Sequence, residues 1–115
     1  MPTREWNLRI LDILECIGKI RRYTKGMSKA DLAGDAKTFD AVARNFQIIG
    51  EAANHVPKRI CEKYPAIRWA DIRGMRNIIV HVYFGIDMEA VWRAVTQELD
   101  ELEKRLIALR ASEGF

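Results

Sequence analysis

The chain has 115 residues, with 19 Lys and Arg against 16 Asp and Glu and a formal net charge of +3. An apolar fraction of 49% and a charged fraction of 30% are ordinary for a globular protein, and a chain of this size can bury one core without disulfides. No apolar run reaches the roughly 18 residues of a membrane span, and there is no basic-then-apolar leader. The expectation is a single domain over residues 1–115, cytoplasmic and not membrane-associated.

Glycine and proline divide the chain. From about Trp6 to Tyr23, Ile10, Ile13, Ile17 and Ile20 recur at spacings of three and four, which predicts a helix with one buried face. It should stop near Lys25-Gly26, with Ser28 placed to cap a brief further turn. A second long helix begins near Asp35 or Thr38, and Phe39, Val42, Phe46, Ile49 and Ala53 form its buried stripe. Pro57 ends that helix or starts the next. Lys58 to Asp71 reads as short helical pieces broken at Tyr64-Pro65.

A third helix is predicted from Trp69 or Asp71 to Tyr83, ending before Gly85. Asp87 then caps the last helix, where Trp92, Val95, Leu99, Leu102, Leu106 and Leu109 alternate spacings of three and four. Such a seam requires a partner helix, within the chain or across a dimer. No strand-like alternation or internal repeat is visible. The predicted fold class is all-α: an antiparallel bundle of four to five helices.

Charge is unevenly spread. Lys58, Arg59, Lys63, Arg68, Arg73 and Arg76 outweigh Glu62 and Asp71, whereas residues 87–115 carry more acids than bases. The basic stretch could draw in a phosphate backbone, although solvated surface would have the same composition. Cys16 and Cys61 form neither a C-x-x-C pair nor a zinc-type cluster, and are expected as reduced thiols in or near the core.

The basic stretch leads into Arg76-Asn77-Ile78-Ile79-Val80-His81-Val82-Tyr83. Projected at about 100° per residue, Met75, Ile78, Ile79 and Val82 face the core. Arg76, Asn77, His81 and Tyr83 share the opposite side, with Arg76 and Tyr83 eclipsed. A guanidinium suits phosphate oxygens and an imidazole exchanges protons near neutrality. Asn77 can orient the imidazole or hold a phosphate oxygen, and the Tyr83 hydroxyl can donate, accept or be modified. The same four residues would also serve as plain solvated surface. On a straight helix Arg76 and His81 stand about 140° apart, so a catalytic reading calls for two copies enclosing a shared cleft.

Arg76, His81 and Tyr83 reproduce an R-x4-H-x-Y signature, and the chain resembles the HepT-like toxin family of HEPN domains. The resemblance extends to Asp40-Ala41-Val42-Ala43-Arg44-Asn45, Ile48-Ile49-Gly50-Glu51-Ala52-Ala53, Tyr64-Pro65-Ala66-Ile67-Arg68-Trp69, Gly74-Met75-Arg76-Asn77 and Tyr83-Phe84-Gly85-Ile86-Asp87. It implies a homodimeric, metal-independent ribonuclease, needing no cofactor, that is the toxin of a toxin–antitoxin pair. It further implies an MNT-type nucleotidyltransferase antitoxin that transfers AMP from ATP onto the motif tyrosine, Tyr83. Arg76 and His81 would then be catalytic, with Asn77 and Tyr83 supporting and RNA as substrate. The alternatives are a non-catalytic HEPN module that binds a nucleotide or docks the nucleotidyltransferase, and the reverse pairing with this chain as antitoxin.

Three further residues stay ambiguous in sequence. Glu51 is either a structural carboxylate paired with Arg44 or Arg73, or a neighbour of the active cleft; Arg44 and Asn45 are equally open. His55 reads as a surface or capping residue. Trp6, Trp69 and Trp92 read as core or interface anchors rather than base-stacking platforms.

Overall fold

The computed structural model describes residues 2–77 and 88–115. Among the described residues every regular element is helical, as an all-α bundle requires.

Helix α1 spans Pro2–Thr24, and its Trp6, Ile10, Ile13, Ile17 and Ile20 are buried. The predicted short turn is α2, Lys29–Ala33, and it is held by a reciprocal cap. Asp31 N–H donates to Ser28 Oγ at 3.1 Å and Ser28 N–H donates to Asp31 Oδ2 at 2.9 Å. Each bond satisfies a backbone donor that the first helical turn leaves without a partner.

Helix α3, Ala36–Asn54, starts at Asp35 rather than Thr38. Asp35 Oδ1 accepts from Thr38 N–H at 3.1 Å, and the Thr38 hydroxyl donates to Asp35 Oδ2 at 2.7 Å. Its stripe of Val42, Phe46, Ile49 and Ala53 is fully buried, packed along α1. Phe39, in the first turn of α3, is only partly covered. His55 is exposed and caps the C-terminus, its N–H donating to Ala52 O at 3.0 Å.

Pro57 precedes α4, Lys58–Lys63, so it opens a helix rather than closing one. After the break at Tyr64-Pro65 comes α5, Trp69–Gly74, with Trp69 and Ile72 buried. The Trp69 indole N–H donates to Tyr64 O at 3.1 Å and ties the break to the helix that follows it.

The last helix is interrupted. α6 covers Met88–Arg93 and α7 covers Leu99–Ser112, with one π-helical turn between them over Ala94–Glu98. There Leu99 N–H reaches Ala94 O, five residues back. The Thr96 hydroxyl donates to Trp92 O at 2.7 Å, competing for a carbonyl that the regular ladder uses, which is a known way to loosen a helix. The expected N-cap at Asp87 lies outside the described residues.

The leucine seam finds its partner within the chain. Leu99, Leu102, Leu106 and Leu109 are buried in the same core as the α1 isoleucines. Polar bonds fix the register of α1 and α7: Arg21 pairs with Asp100 at 2.7 Å and Glu103 at 3.1 Å, and Arg110 Nε donates to Asn7 Oδ1 at 2.8 Å. The residue order in these pairs makes the two helices antiparallel. Trp6 is buried edge-on to Phe115, Trp69 is buried and Trp92 is partly covered, so all three serve as anchors of packing.

The C-terminus is pinned to α4 through Glu113. Lys63 pairs with Glu113 at 2.7 Å and the Tyr64 hydroxyl also donates to it, so the carboxyl is held below its usual range, chiefly by Lys63. A lowered native pKa contributes stability that is present above the unfolded carboxylate value and lost as pH falls through the native one. Thermal melts should therefore show the wild type losing stability on acidification below about pH 4.3 more steeply than Glu113→Gln. Equal acid slopes would contradict this role.

Candidate functional site

The motif begins where α5 ends. At Met75 the backbone takes φ −61° and ψ −23°, and Met75–Asn77 form a single 3-10 turn. Met75 packs against the core, as projected, while Arg76 and Asn77 are exposed side by side. His81 and Tyr83, and the projected core positions Ile78, Ile79 and Val82, lie outside the described residues.

This corrects the continuous α-helix expected through Arg76. A 3-10 turn advances about 120° per residue instead of about 100°, so a straight-helix projection does not pass through this point. The angle between Arg76 and His81, and the eclipse of Arg76 with Tyr83, lose their geometric basis.

The structure supplies a physical reason for the tightening. Gly74 is the last residue of α5, and glycine is a weak helix former. The turn that follows lies directly on α3 at Gly50. A Cβ built on Gly50 would stand 2.5 Å from Arg76 N, 2.8 Å from Arg76 Cβ and 3.0 Å from Arg73 O. No larger residue fits without moving the motif backbone. In the sequence Gly50 stands only within the Ile48–Ala53 pattern. The available signal was a glycine in the buried part of a long helix, where it costs about 1 kcal/mol relative to alanine.

On α3, one of the two readings of Glu51 drops out. Glu51 is exposed and pairs with neither Arg44 nor Arg73. Arg44 instead donates to Gln47 Oε1 at 3.2 Å. Arg73 lies beside the Cys61 thiol, where it opposes the rise that burial imposes on that group. Glu51 shares a shallow groove of about 330 Å³ with Arg9, Asp12, Arg44, Gln47 and His55, between the N-terminal half of α1 and the C-terminal half of α3. It stands one residue, about 100°, around α3 from Gly50. Asn45 is buried; its amide donates to Ala41 O at 2.9 Å, while its Oδ1 has no partner among the described residues.

The basic lead-in is partly neutralised. Lys58 pairs with Glu62 at 3.7 Å, Lys63 with Glu113 at 2.7 Å and Arg68 with Asp71 at 2.7 Å. The Lys58–Glu62 and Arg68–Asp71 pairs are exposed, and such pairs are weak and yield readily to salt or a competing anion. Cys16 is buried and Cys61 partly so, both as free thiols. Burial pushes the Cys16 thiol up, away from reactivity. Among the described residues no three His, Cys, Asp or Glu side chains gather as a metal site would need, and no helix is long and apolar enough to cross a membrane.

An all-helical bundle presenting an arginine at the head of an R-x4-H-x-Y segment defines a HEPN-type domain. The chain belongs to the HepT-like ribonuclease family, whose model, described as Ribonuclease HepT-like, matches residues 13–109. It is 38% identical over 104 residues to "Putative RNase MJ1216" of Methanocaldococcus jannaschii, covering 90% of this chain and 86% of that protein. It is 34% identical over 99 residues to "Probable ribonuclease HepT" of Thermococcus cleftensis, covering 86% of this chain and 90% of that one. No solved structure matches the chain.

Proposed function

We propose that this chain is the toxin of a toxin–antitoxin pair, a homodimeric ribonuclease that cuts RNA without a metal ion and is silenced by AMP transfer to Tyr83. The observation that carries the reading is the exposed Arg76, set on a tight turn at the head of the signature in a chain of the HepT-like ribonuclease family.

In the proposed reaction His81 takes the proton from an RNA 2′-hydroxyl. The freed oxygen attacks the adjacent phosphorus, and the bond from phosphorus to the 5′-oxygen breaks. The leaving oxygen takes up a proton, and the products are a 2′,3′-cyclic phosphate and a free 5′-hydroxyl. Arg76 stabilises the charge that builds on the non-bridging oxygens, where a planar fork of donors fits two of them. Asn77, exposed beside Arg76, holds the phosphate or the imidazole in place.

Silencing uses the phenol of Tyr83. Its oxygen attacks the α-phosphorus of ATP on the partner MNT-type nucleotidyltransferase, and pyrophosphate leaves. The adduct puts a bulky anion within the segment that must receive RNA, where it repels the substrate backbone and can pair with Arg76.

Expression of the chain alone should arrest growth, and co-expression with the partner should restore it. The restored protein should gain mass in whole AMP units that map to Tyr83. Tyr83→Phe should remain toxic in the partner's presence if its own cutting persists in vitro. AMP units mapping elsewhere would refute the switch. Growth arrest by the nucleotidyltransferase alone, relieved by this chain, would reverse the roles.

A further inference from the structure

We propose that Gly50 is a positioning residue for the cleavage site: its missing side chain lets the Arg76 backbone seat on α3, and that seat sets where the Arg76 guanidinium stands. The proposal rests on the reading of Arg76 as an RNA-cleaving residue.

Three observations favour a tertiary reason for this glycine over a local one. The first concerns conformation: the positive-φ glycines among the described residues are Gly26 and Gly114, so the backbone at Gly50 does not itself require glycine. The second is the identity of the obstructing atoms. Two of the three nearest atoms to a Cβ at position 50 are backbone, Arg76 N at 2.5 Å and Arg73 O at 3.0 Å, and backbone cannot swing aside as the end of a flexible side chain can. The third is contrast with other helical glycines. A Cβ on Gly18 would meet only the end of the Arg22 side chain, at 3.7 Å, and one on Gly74 would meet nothing within 4 Å.

Gly50 therefore stands out among these helical glycines, and the atoms it admits belong to the motif arginine and its own turn. Restoring ordinary contact after adding a methyl group would move Arg76 by about 1 Å, a displacement sufficient to cost on the order of 10²-fold in rate. Since the contact is made by the Arg76 amide and Cβ, the arginine is the first functional group to feel it.

The test compares wild type, Gly50→Ala and Gly18→Ala in single-turnover cleavage of a short RNA, with helicity and melting temperature recorded for each. Gly50→Ala should keep its helicity and lose on the order of 10²-fold in rate, while Gly18→Ala stays near wild type. In an Arg76→Ala background, adding Gly50→Ala should cost far less, because the group it displaces is already gone. A folded Gly50→Ala that cuts like wild type would overturn the proposal, as would an equal loss in both backgrounds.

If Gly50→Ala does not hold its fold, nuclear magnetic resonance on the unaltered protein decides. A nuclear Overhauser effect between the Gly50 α-protons and the Arg76 amide proton is expected. So is a shift of the Gly50 amide on titration with a 2′-deoxy oligonucleotide, which cannot be cut. Absence of either overturns the proposal. Wild-type protein that leaves RNA intact would refute the proposed function, and with it this role for Gly50.

Discussion

Replacing His81 by alanine should lower RNA cleavage by roughly 10²–10⁴-fold, the usual contribution of a positioned acid or base. Without the imidazole, the 2′-hydroxyl must lose its proton to water. Arg76→Ala should cost about 10²–10³-fold, comparable to removing one preorganised donor from a developing oxyanion. Arg76 is exposed, so the circular dichroism and melting temperature of that variant should stay close to wild type. Arg76→Lys should recover part of the loss, because it keeps the charge but not the two-pronged geometry. If both alanine variants cut like wild type, the protein binds RNA or a partner through this segment and does not cut with it.

The largest effect on stability is expected at Phe46. Its side chain is fully buried in the core that joins α1 and α3. Phe46→Ala removes an aromatic ring from a closed space and should destabilise the fold by about 3–5 kcal/mol. That is a large share of the roughly 5–15 kcal/mol that holds a typical domain together. For a domain of this size the melting temperature should fall by well over about 10 °C, measured by calorimetry or circular dichroism. Because α3 carries Gly50 and thereby the seat of Arg76, activity should disappear with the melt rather than before it. A melting temperature within a few degrees of wild type would mean that the core does not close around Phe46.

What the sequence made legible was local. Ser28 and Asp35 cap the helices they precede because a short polar side chain reaches its own backbone two or three residues on, with no help from the rest of the fold. The isoleucine and leucine stripes identified which faces are buried, since burial follows periodicity. Periodicity left open whether the leucine seam pairs within the chain or across a dimer. The bonds from Arg21 to Asp100 and Glu103, and from Arg110 to Asn7, place its partner on α1.

What stayed hidden was tertiary. Nothing local to Met75–Asn77 announces a 3-10 turn apart from Gly74 before it; the decisive contact is with Gly50, more than twenty residues earlier. The π-helical turn at Ala94–Glu98 is accompanied by a Thr96 hydroxyl bond to the Trp92 carbonyl, which residue spacing does not reveal. The pairing expected for Glu51 failed for a related reason. Arg44 donates to Gln47 and Arg73 lies beside the Cys61 thiol, and which neighbour an arginine finds is decided by packing. For the site itself, the sequence nominated Arg76, Asn77, His81 and Tyr83. The structure places the first two together on an exposed turn, and the latter two lie outside the described residues.

The most direct test of a metal-independent RNA cut by this motif is the chemistry of the product ends, read in the presence of excess chelator. Purified protein should cut a short RNA equally well with and without EDTA, leaving a 2′,3′-cyclic phosphate and a free 5′-hydroxyl, and His81→Ala should cut it far more slowly in both. Loss of cleavage on chelation, or fragments bearing a 5′-phosphate, would contradict it.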